Sequence, residues 1–506
     1  MQKLLPLFAI TLATNAFASP RIESDSITSR HDMQLLRDNG AIESAVLTWP
    51  WPLGRDALGD HQSAIGDLES MAFPLSRMES VYSEASELGF RPTKTSLSLA
   101  SDTLPFRSFG SQPREQFEAS LSQSWLSEWF AGNVSLTYAD NPLDGDEFRL
   151  DGTYLAMALG NWSFGIDQVD RWWGPGWDGS LILSNNARPV PALSLTRISP
   201  DAFENKWLRW IGPWTFTTFM GQLDNDEGER PGSDARLFGM RIDFTPFGWE
   251  NLDIGLSRTA QWAGDGRPGD LDTFWRLLIG EDNRVNGVTF ENEPGNQLAG
   301  IDYRLRIPGW NLAQYAQLTG EDEETYLPDA NMLLAGLETW GELESTNATW
   351  RAYFEWADTR AGYLRRDPRP DRDFNTAYNH GIYRSGYRRK GRAIGHAMDG
   401  DGVMRSIGGF IVQENGNLWG AKYRNYSLNR DGRGPHSITI DPVEGSSIEV
   451  FAELNDLTFL PFVSDQRSAI SHPKLTFGIH YIDEENQVTG ESDSDLGGHV
   501  SIVTSF

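Results

Sequence analysis

From about Arg91 to its end, the chain repeats segments of about ten residues in which apolar and polar side chains alternate. Phe117, Ala119, Leu121, Gln123 and Trp125 interleave with Glu118, Ser120, Ser122 and Ser124. The same texture returns at Thr215 to Leu223, Leu237 to Phe244, Leu252 to Trp262, Trp350 to Trp356, Ile407 to Gln413, Ile448 to Leu454 and Leu475 to Tyr481. Gly, Pro, Asn and Asp clusters separate them. A period of two puts successive side chains on opposite faces of a strand. Roughly 16–20 such segments match the weak per-strand signal of a transmembrane barrel, whose strands need only ~9–11 residues to cross. Beyond the first 20 residues no stretch approaches the ~18 consecutive apolar residues of a membrane helix.

The last segment, Val500 to Phe506, alternates and stops on an aromatic. Such an ending resembles the final-strand signal of bacterial outer-membrane proteins. Ten tryptophans sit near strand ends, at 125, 129, 162, 207, 210, 214, 249, 310, 340 and 419. Indoles at headgroup depth form the two girdles of such a barrel. A soluble sandwich or propeller with core tryptophans is the competing architecture.

The start of the chain differs. Lys3, the apolar run Leu4 to Leu12 and Ala16-Phe17-Ala18 form a secretory leader, with cleavage expected after Ala18. Met33 to Arg37 has helical spacing and ends at Asn39-Gly40, a helix stop. Asp56 to Met71 is a weaker helix because of Gly59 and Gly66. Leu75, Met78, Val81, Tyr82, Ala85 and Leu88 recur every three or four residues before Gly89. The expected division is a leader over 1–18, a helical periplasmic or plug region over 19–90, and a barrel over 91–506.

Composition excludes several functions. The net charge of -28 repels phosphate backbones, so nucleic acid is not a partner. With no cysteine there is no disulfide, thiolate nucleophile or Cys-ligated metal. The eight histidines show no HExxH spacing and no GxSxG elbow occurs. Asp399-Gly400-Asp401-Gly402 lacks the twelve-residue loop and closing Glu of an EF-hand. The expectation is therefore no catalytic residue, no metal and no cofactor.

One segment is distinctive: Asp170-Arg171-Trp172-Trp173-Gly174-Pro175-Gly176-Trp177-Asp178-Gly179, continuing to Ser184-Asn185-Asn186-Ala187-Arg188-Pro189. It resembles the central motif of the Wzi family of capsule-assembly outer-membrane proteins. Leu36 to Ile42 with Thr48-Trp49-Pro50-Trp51 is a second match, and Tyr383, Gly386-Tyr387 and Ile394-Gly395-His396 a looser third. The resemblance runs in order through essentially the whole mature chain. It implies an all-β transmembrane fold, an antiparallel outer-membrane barrel of about 18 strands with an N-terminal helical bundle or plug. It also implies lectin-like, non-enzymatic attachment of capsular or extracellular polysaccharide, with outer-membrane lipid, lipopolysaccharide and polysaccharide-export machinery as further partners. A porin for small solutes or oligosaccharides is the alternative, and an outer-membrane hydrolase the third reading.

Two sets of residues suit a polysaccharide. Trp172, Trp173 and Trp177 offer indole faces to sugar C–H bonds, and Asn185, Asn186 and Arg188 offer donors. The same turn reads as architecture, with Gly174 and Gly176 permitting a sharp bend and the indoles packing a lumen or plug; this second reading is preferred. Residues 360–392 carry ten basic against three acidic side chains, among them Arg365, Arg366, Arg388, Arg389, Lys390 and Arg392. They are expected on a long external loop, contacting an anionic polymer through charge-assisted forks. Pairing with lipopolysaccharide phosphates or with an acidic lumen is the alternative.

Overall fold

The computed structural model describes residues 21–52, 71–223, 232–278, 295–321, 330–363, 374–455, 457 and 471–506. The leader, Arg365, Arg366 and all but Met71 of the 56–71 helix lie outside them. The alternating segments form one closed antiparallel barrel of 18 strands. Gly89–Phe90 and Lys94–Ala100 both pair with Phe117–Leu126 and make one strand between them. Phe148–Arg149 and Tyr154–Leu159 likewise share Phe130–Ala139 as their partner. The last strand, Ser492–Ser505, closes on Lys94–Ala100. Phe506 extends that seam through 3.0 and 3.1 Å backbone bonds with Thr93, so no edge is left open in lipid.

Alternation fixes what each face carries. Leu256, Ile301, Leu337, Phe354, Ile407, Ile448 and Ile479 are exposed on the outer wall. Arg241, Arg304, Glu338, Arg351, Glu355, Arg424 and Glu449 are buried on the inner one. The polar lumen and apolar exterior are those of a membrane barrel.

The two ends differ. Connections 127–129, 160–161, 307–311, 344–347 and 413–417 are tight turns at one end. Connections 101–116, 168–191, 263–294 and 364–402 gather at the other. Strand direction puts all ten tryptophans singled out above at the short-turn rim, at one end of the barrel and not at both. Trp340 faces inward and is buried, with the Arg304 and Arg351 guanidiniums 5.3 and 5.0 Å from its ring.

Two helices belong to the described part of the N-terminal region. Ile27–Asp38 is capped by Ser26, whose hydroxyl accepts from Ser29 N at 3.1 Å, and it stops at Asn39 with Gly40 at φ +77°. Eleven of its 12 residues are buried, because it lies inside the barrel. The second helix, Ala72–Ser86, buries only Pro74, Met78 and Ala85. It crosses the short-turn end, where Arg77 pairs with Asp32 at 2.7 Å and donates to the Gln413 carbonyl at 3.2 Å.

Candidate functional site: the filled lumen

The inner wall is charged, and the plug helix meets it with charge. Arg37 pairs with Asp253 at 2.7 Å and Asp38 with Arg304 at 2.6 Å. Arg304 and Arg351 share Glu338 at 2.5 and 2.7 Å. His31 Nε2 lies 3.0 Å from the Thr349 hydroxyl. Such pairs are stable in a low-dielectric interior only when both members and their hydrogen bonds are present.

Connection 168–191 descends into the lumen from the opposite end and meets the helix. The Arg30 guanidinium donates to the carbonyls of Gly176 and Pro175 at 2.9 and 2.8 Å. It also lies 4.1 Å from the Trp177 ring and 4.5 Å from Phe109. Trp172–Trp173 pairs as a short strand with Thr48–Trp49. Trp49 and Trp172 both pack edge-on against Phe109, at 5.4 and 5.5 Å. Gly174 adopts φ +142°, and a Cβ on Gly176 would stand 2.2 Å from the Gly179 carbonyl. Only glycine fits both positions.

The wall then grips the turn. Glu355 accepts from the backbone N–H groups of Trp177, Asp178 and Gly179 and from Tyr315 Oη at 2.8 Å. Trp177 Nε1 donates to Glu338 at 2.7 Å. Asp178 accepts from Arg424 Nη2 at 2.7 Å, Arg424 Nε at 2.9 Å and the Ser406 hydroxyl at 2.6 Å. Burial opposes ionisation of Asp178, but Arg424, Lys422 and Ser406 together hold its carboxyl below the usual range.

The third segment completes the joint. Tyr378 and Tyr387 donate to the carbonyls of Leu181 and Ile182 at 2.6 and 2.9 Å. Burial against Gly179 lowers the His396 imidazole to about 4, so it is neutral. Burial also raises Asp32 on the plug helix to about 6 despite Arg77. The three stretches that carried the family resemblance, far apart in sequence, are thus one packed unit.

The residues expected to meet polymer lie mostly inside this unit. Trp172 and Trp173 are 0% exposed and Trp177 4%, so none of these rings presents an open face. Asn185 exchanges bonds with Ser24 at 3.0 and 2.8 Å, and Asn186 donates to the Ala393 carbonyl at 2.9 Å. Arg188 forks onto Asp144, Asp146 and Asp151 at 2.7–2.8 Å. The described part of 360–392 also folds inward rather than forming an open external loop. Arg388 and Arg389 are buried; Arg388 pairs with Asp399 at 2.7 Å, and Arg389 donates to the Pro189 carbonyl. Lys390 reaches Asp146 at 3.5 Å and Arg392 the Pro105 carbonyl at 3.4 Å. Arg384, Arg430 and Arg433 are exposed at the long-connection end. Glu355, Glu338, Arg424 and Arg30 were not singled out from sequence; for the first three the signal was charge at inward strand positions, and Arg30 lies on the plug helix.

The family model described as capsule assembly protein Wzi matches residues 90–466. A curated relative from Klebsiella pneumoniae, described as an uncharacterized 55.8 kDa protein in the cps region, is 32% identical over 93% of this chain and 90% of its own length. The solved structure of Wzi from Escherichia coli superposes with a TM-score of 0.78 at 26% identity, covering 96% of this chain and 99% of that one. That protein is an outer-membrane protein involved in group 1 capsule assembly and a carbohydrate-binding β-barrel. Barrel, plug and infolded motif thus come with a family match over most of the chain, and the protein belongs to the Wzi family of capsule assembly proteins.

Proposed function

We propose that this protein holds capsular or extracellular polysaccharide at the outer face of the outer membrane without catalysing a reaction on it. The observation that carries the reading is the filled lumen: a helix from one end and two chain segments from the other meet within the barrel and are bonded to its wall. A diffusion channel needs that space empty, so the porin reading loses ground. The long connections face outward, as in bacterial barrels generally, and the leader is removed after Ala18. Polymer meets the outward surface first at Arg384, Arg430 and Arg433; Arg365, Arg366 and Arg392, from the same basic run of the sequence, are the further contacts of this reading. Guanidinium forks suit uronate carboxylates and phosphate substituents. Trp172, Trp173 and Trp177 act from beneath, fixing the outward surface and not stacking on sugar. Lipopolysaccharide and the polysaccharide-export machinery are the neighbours of this surface.

The test is a deletion strain complemented with wild type or with Arg384→Gln, Arg430→Gln and Arg433→Gln combined. Deletion should shift polymer from the cell-attached fraction to the medium. The triple variant should insert normally but retain several-fold less polymer, with what remains less sensitive to salt. Unchanged retention after deletion sinks the attachment reading; unchanged retention in the triple variant moves the contact elsewhere.

A further inference from the structure

The outer wall near the long-connection rim carries a groove that neither the plug nor the polymer reading uses. It has a volume of about 370 Å³, within the ~300–1,000 Å³ range of small-molecule sites. Its apolar lining is Leu150, Ile166, Leu193 and Met220, with Gln222 and Arg236 at its rim end. Ile166 and Leu193 are 64% and 61% exposed, and both occupy outward strand positions. They continue the lipid-facing band of Phe164, on the same strand as Ile166, and Leu155, opposite Ile166 on the paired strand. Arg236 is exposed and also points outward, with its guanidinium 5.2 Å from the Trp262 ring.

A short helix flanks the groove on the same outer face. Leu271–Leu278 lies over outward residues Phe238, Ala260 and Trp262, with Phe274 packed 5.2 Å from the Phe238 ring and 4.9 Å from Trp262. Asp270 caps its start, accepting from Thr273 N at 2.9 Å. Its end is held by Arg258, an outward arginine that donates to the carbonyls of Leu277 and Leu278 at 2.8 and 2.9 Å. An arginine on a lipid-facing wall needs such acceptors, so the helix is part of the wall. It leaves Leu271 83% and Trp275 60% exposed beside the groove. An aromatic and an aliphatic side chain on a short amphipathic helix suit the headgroup–acyl boundary.

We propose that this groove binds a phosphorylated, acylated lipid of the outer leaflet. One acyl chain lies along Leu150, Ile166, Leu193 and Met220, Arg236 meets a headgroup phosphate, and the helix presses Trp275 and Leu271 into the same leaflet. The occupant is lipid because the groove faces away from the lumen and is continuous with the apolar band. Arg236, the cation among the described residues that line the groove, stands at the end where phosphates lie, given the orientation proposed above. The site does not depend on polymer, so its failure and that of the attachment reading are separate results.

The test uses the purified full chain in detergent and bis-phosphorylated lipid A as probe, read by native mass spectrometry. Wild type should retain one lipid. Arg236→Gln should lower the retained fraction about tenfold, the size expected for one charge-assisted contact. Leu193→Trp, which fills the groove, should abolish retention while the heat-modifiable barrel band stays normal. Because the chain has no cysteine, a nitroxide on Leu193→Cys reports the groove alone, with one on Ile440→Cys in connection 429–442 as the aqueous control. Lipid A should shield the first from a water-soluble nickel complex and leave the second accessible. Equal lipid retention by all three proteins, or equal nickel access at both labels with lipid A present, overturns the proposal.

Discussion

Replacing Asp178 by Asn should loosen the infolded segment without opening the barrel wall. The carboxylate accepts from Arg424 Nη2, from Arg424 Nε across both oxygens, and from the Ser406 hydroxyl. It also balances a buried quartet in which Arg424 and Lys422 face Asp178 and Glu449. Asn keeps the shape but leaves one net positive charge in the lumen. Breaking a buried pair from one side costs about 3–5 kcal/mol. At ~1.4 kcal/mol per tenfold, the undocked fraction should rise on the order of 10²–10³. In planar bilayers wild type should be almost closed, and the variant should show brief large openings at a frequency greater by that factor. Adding Arg424→Gln removes the unpaired charge and should recover most of the closure, a coupling that a double-mutant cycle reads directly. The pH dependence is also fixed. A carboxyl depressed in the folded state stabilises above its unfolded pKa of ~3.9 and loses that contribution as pH falls further. The gap between wild type and variant should therefore be flat from pH 8 to about 5 and shrink below about 4. Equal closure in both proteins, or a gap that vanishes near neutrality, would refute the ion-pair account of the plug.

Three other perturbations test neighbouring parts of the argument. His396, lowered to about 4 in the fold, should destabilise docking as pH falls from ~6.5, where the unfolded chain takes up a proton that the folded one refuses. His396→Gln should remove acid-induced opening between those values in the same conductance assay. Trp172→Ala with Trp173→Ala should cost about 3–5 kcal/mol per buried ring, seen as a lost heat-modifiable band. Normal folding with lost polymer would instead return these indoles to the sugar-stacking role. Deleting Phe506 removes two backbone bonds at the barrel seam and should lower the yield of inserted barrel; an unchanged yield removes the terminal aromatic from the assembly argument.

The strands were legible because their signal is local. Phe117 to Trp125 alternates, and alternation survives whatever else the chain does; the strand Phe117–Leu126 has those bounds within a residue. The Asn39-Gly40 stop was legible for the same reason, since a residue at φ +77° announces itself in sequence; Gly89 was not the stop of its helix, which ends at Ser86 with Glu87 already extended and Gly89 in the next strand. Which face meets lipid was legible too, but what the inward face meets was not. Arg351 and Arg424 are inward by parity, yet their partners Asp38 and Asp178 arrive from chain segments hundreds of residues away. The basic run 360–392 misled for a related reason. Its length and prolines fit an open loop, but Arg388 is drawn in by Asp399 and Lys390 by Asp146, acids that composition alone does not assign to any surface. A charge in a water-filled barrel is solvated and needs no partner, whereas a charge in a filled one must be matched. Here two of the matching acids lie on the filling itself: Asp38 on the helix and Asp178 in the Trp/Gly turn. Aspartates set among tryptophans in a non-strand segment, opposite arginines at inward strand positions, are therefore the sequence mark of a lumen built to stay closed.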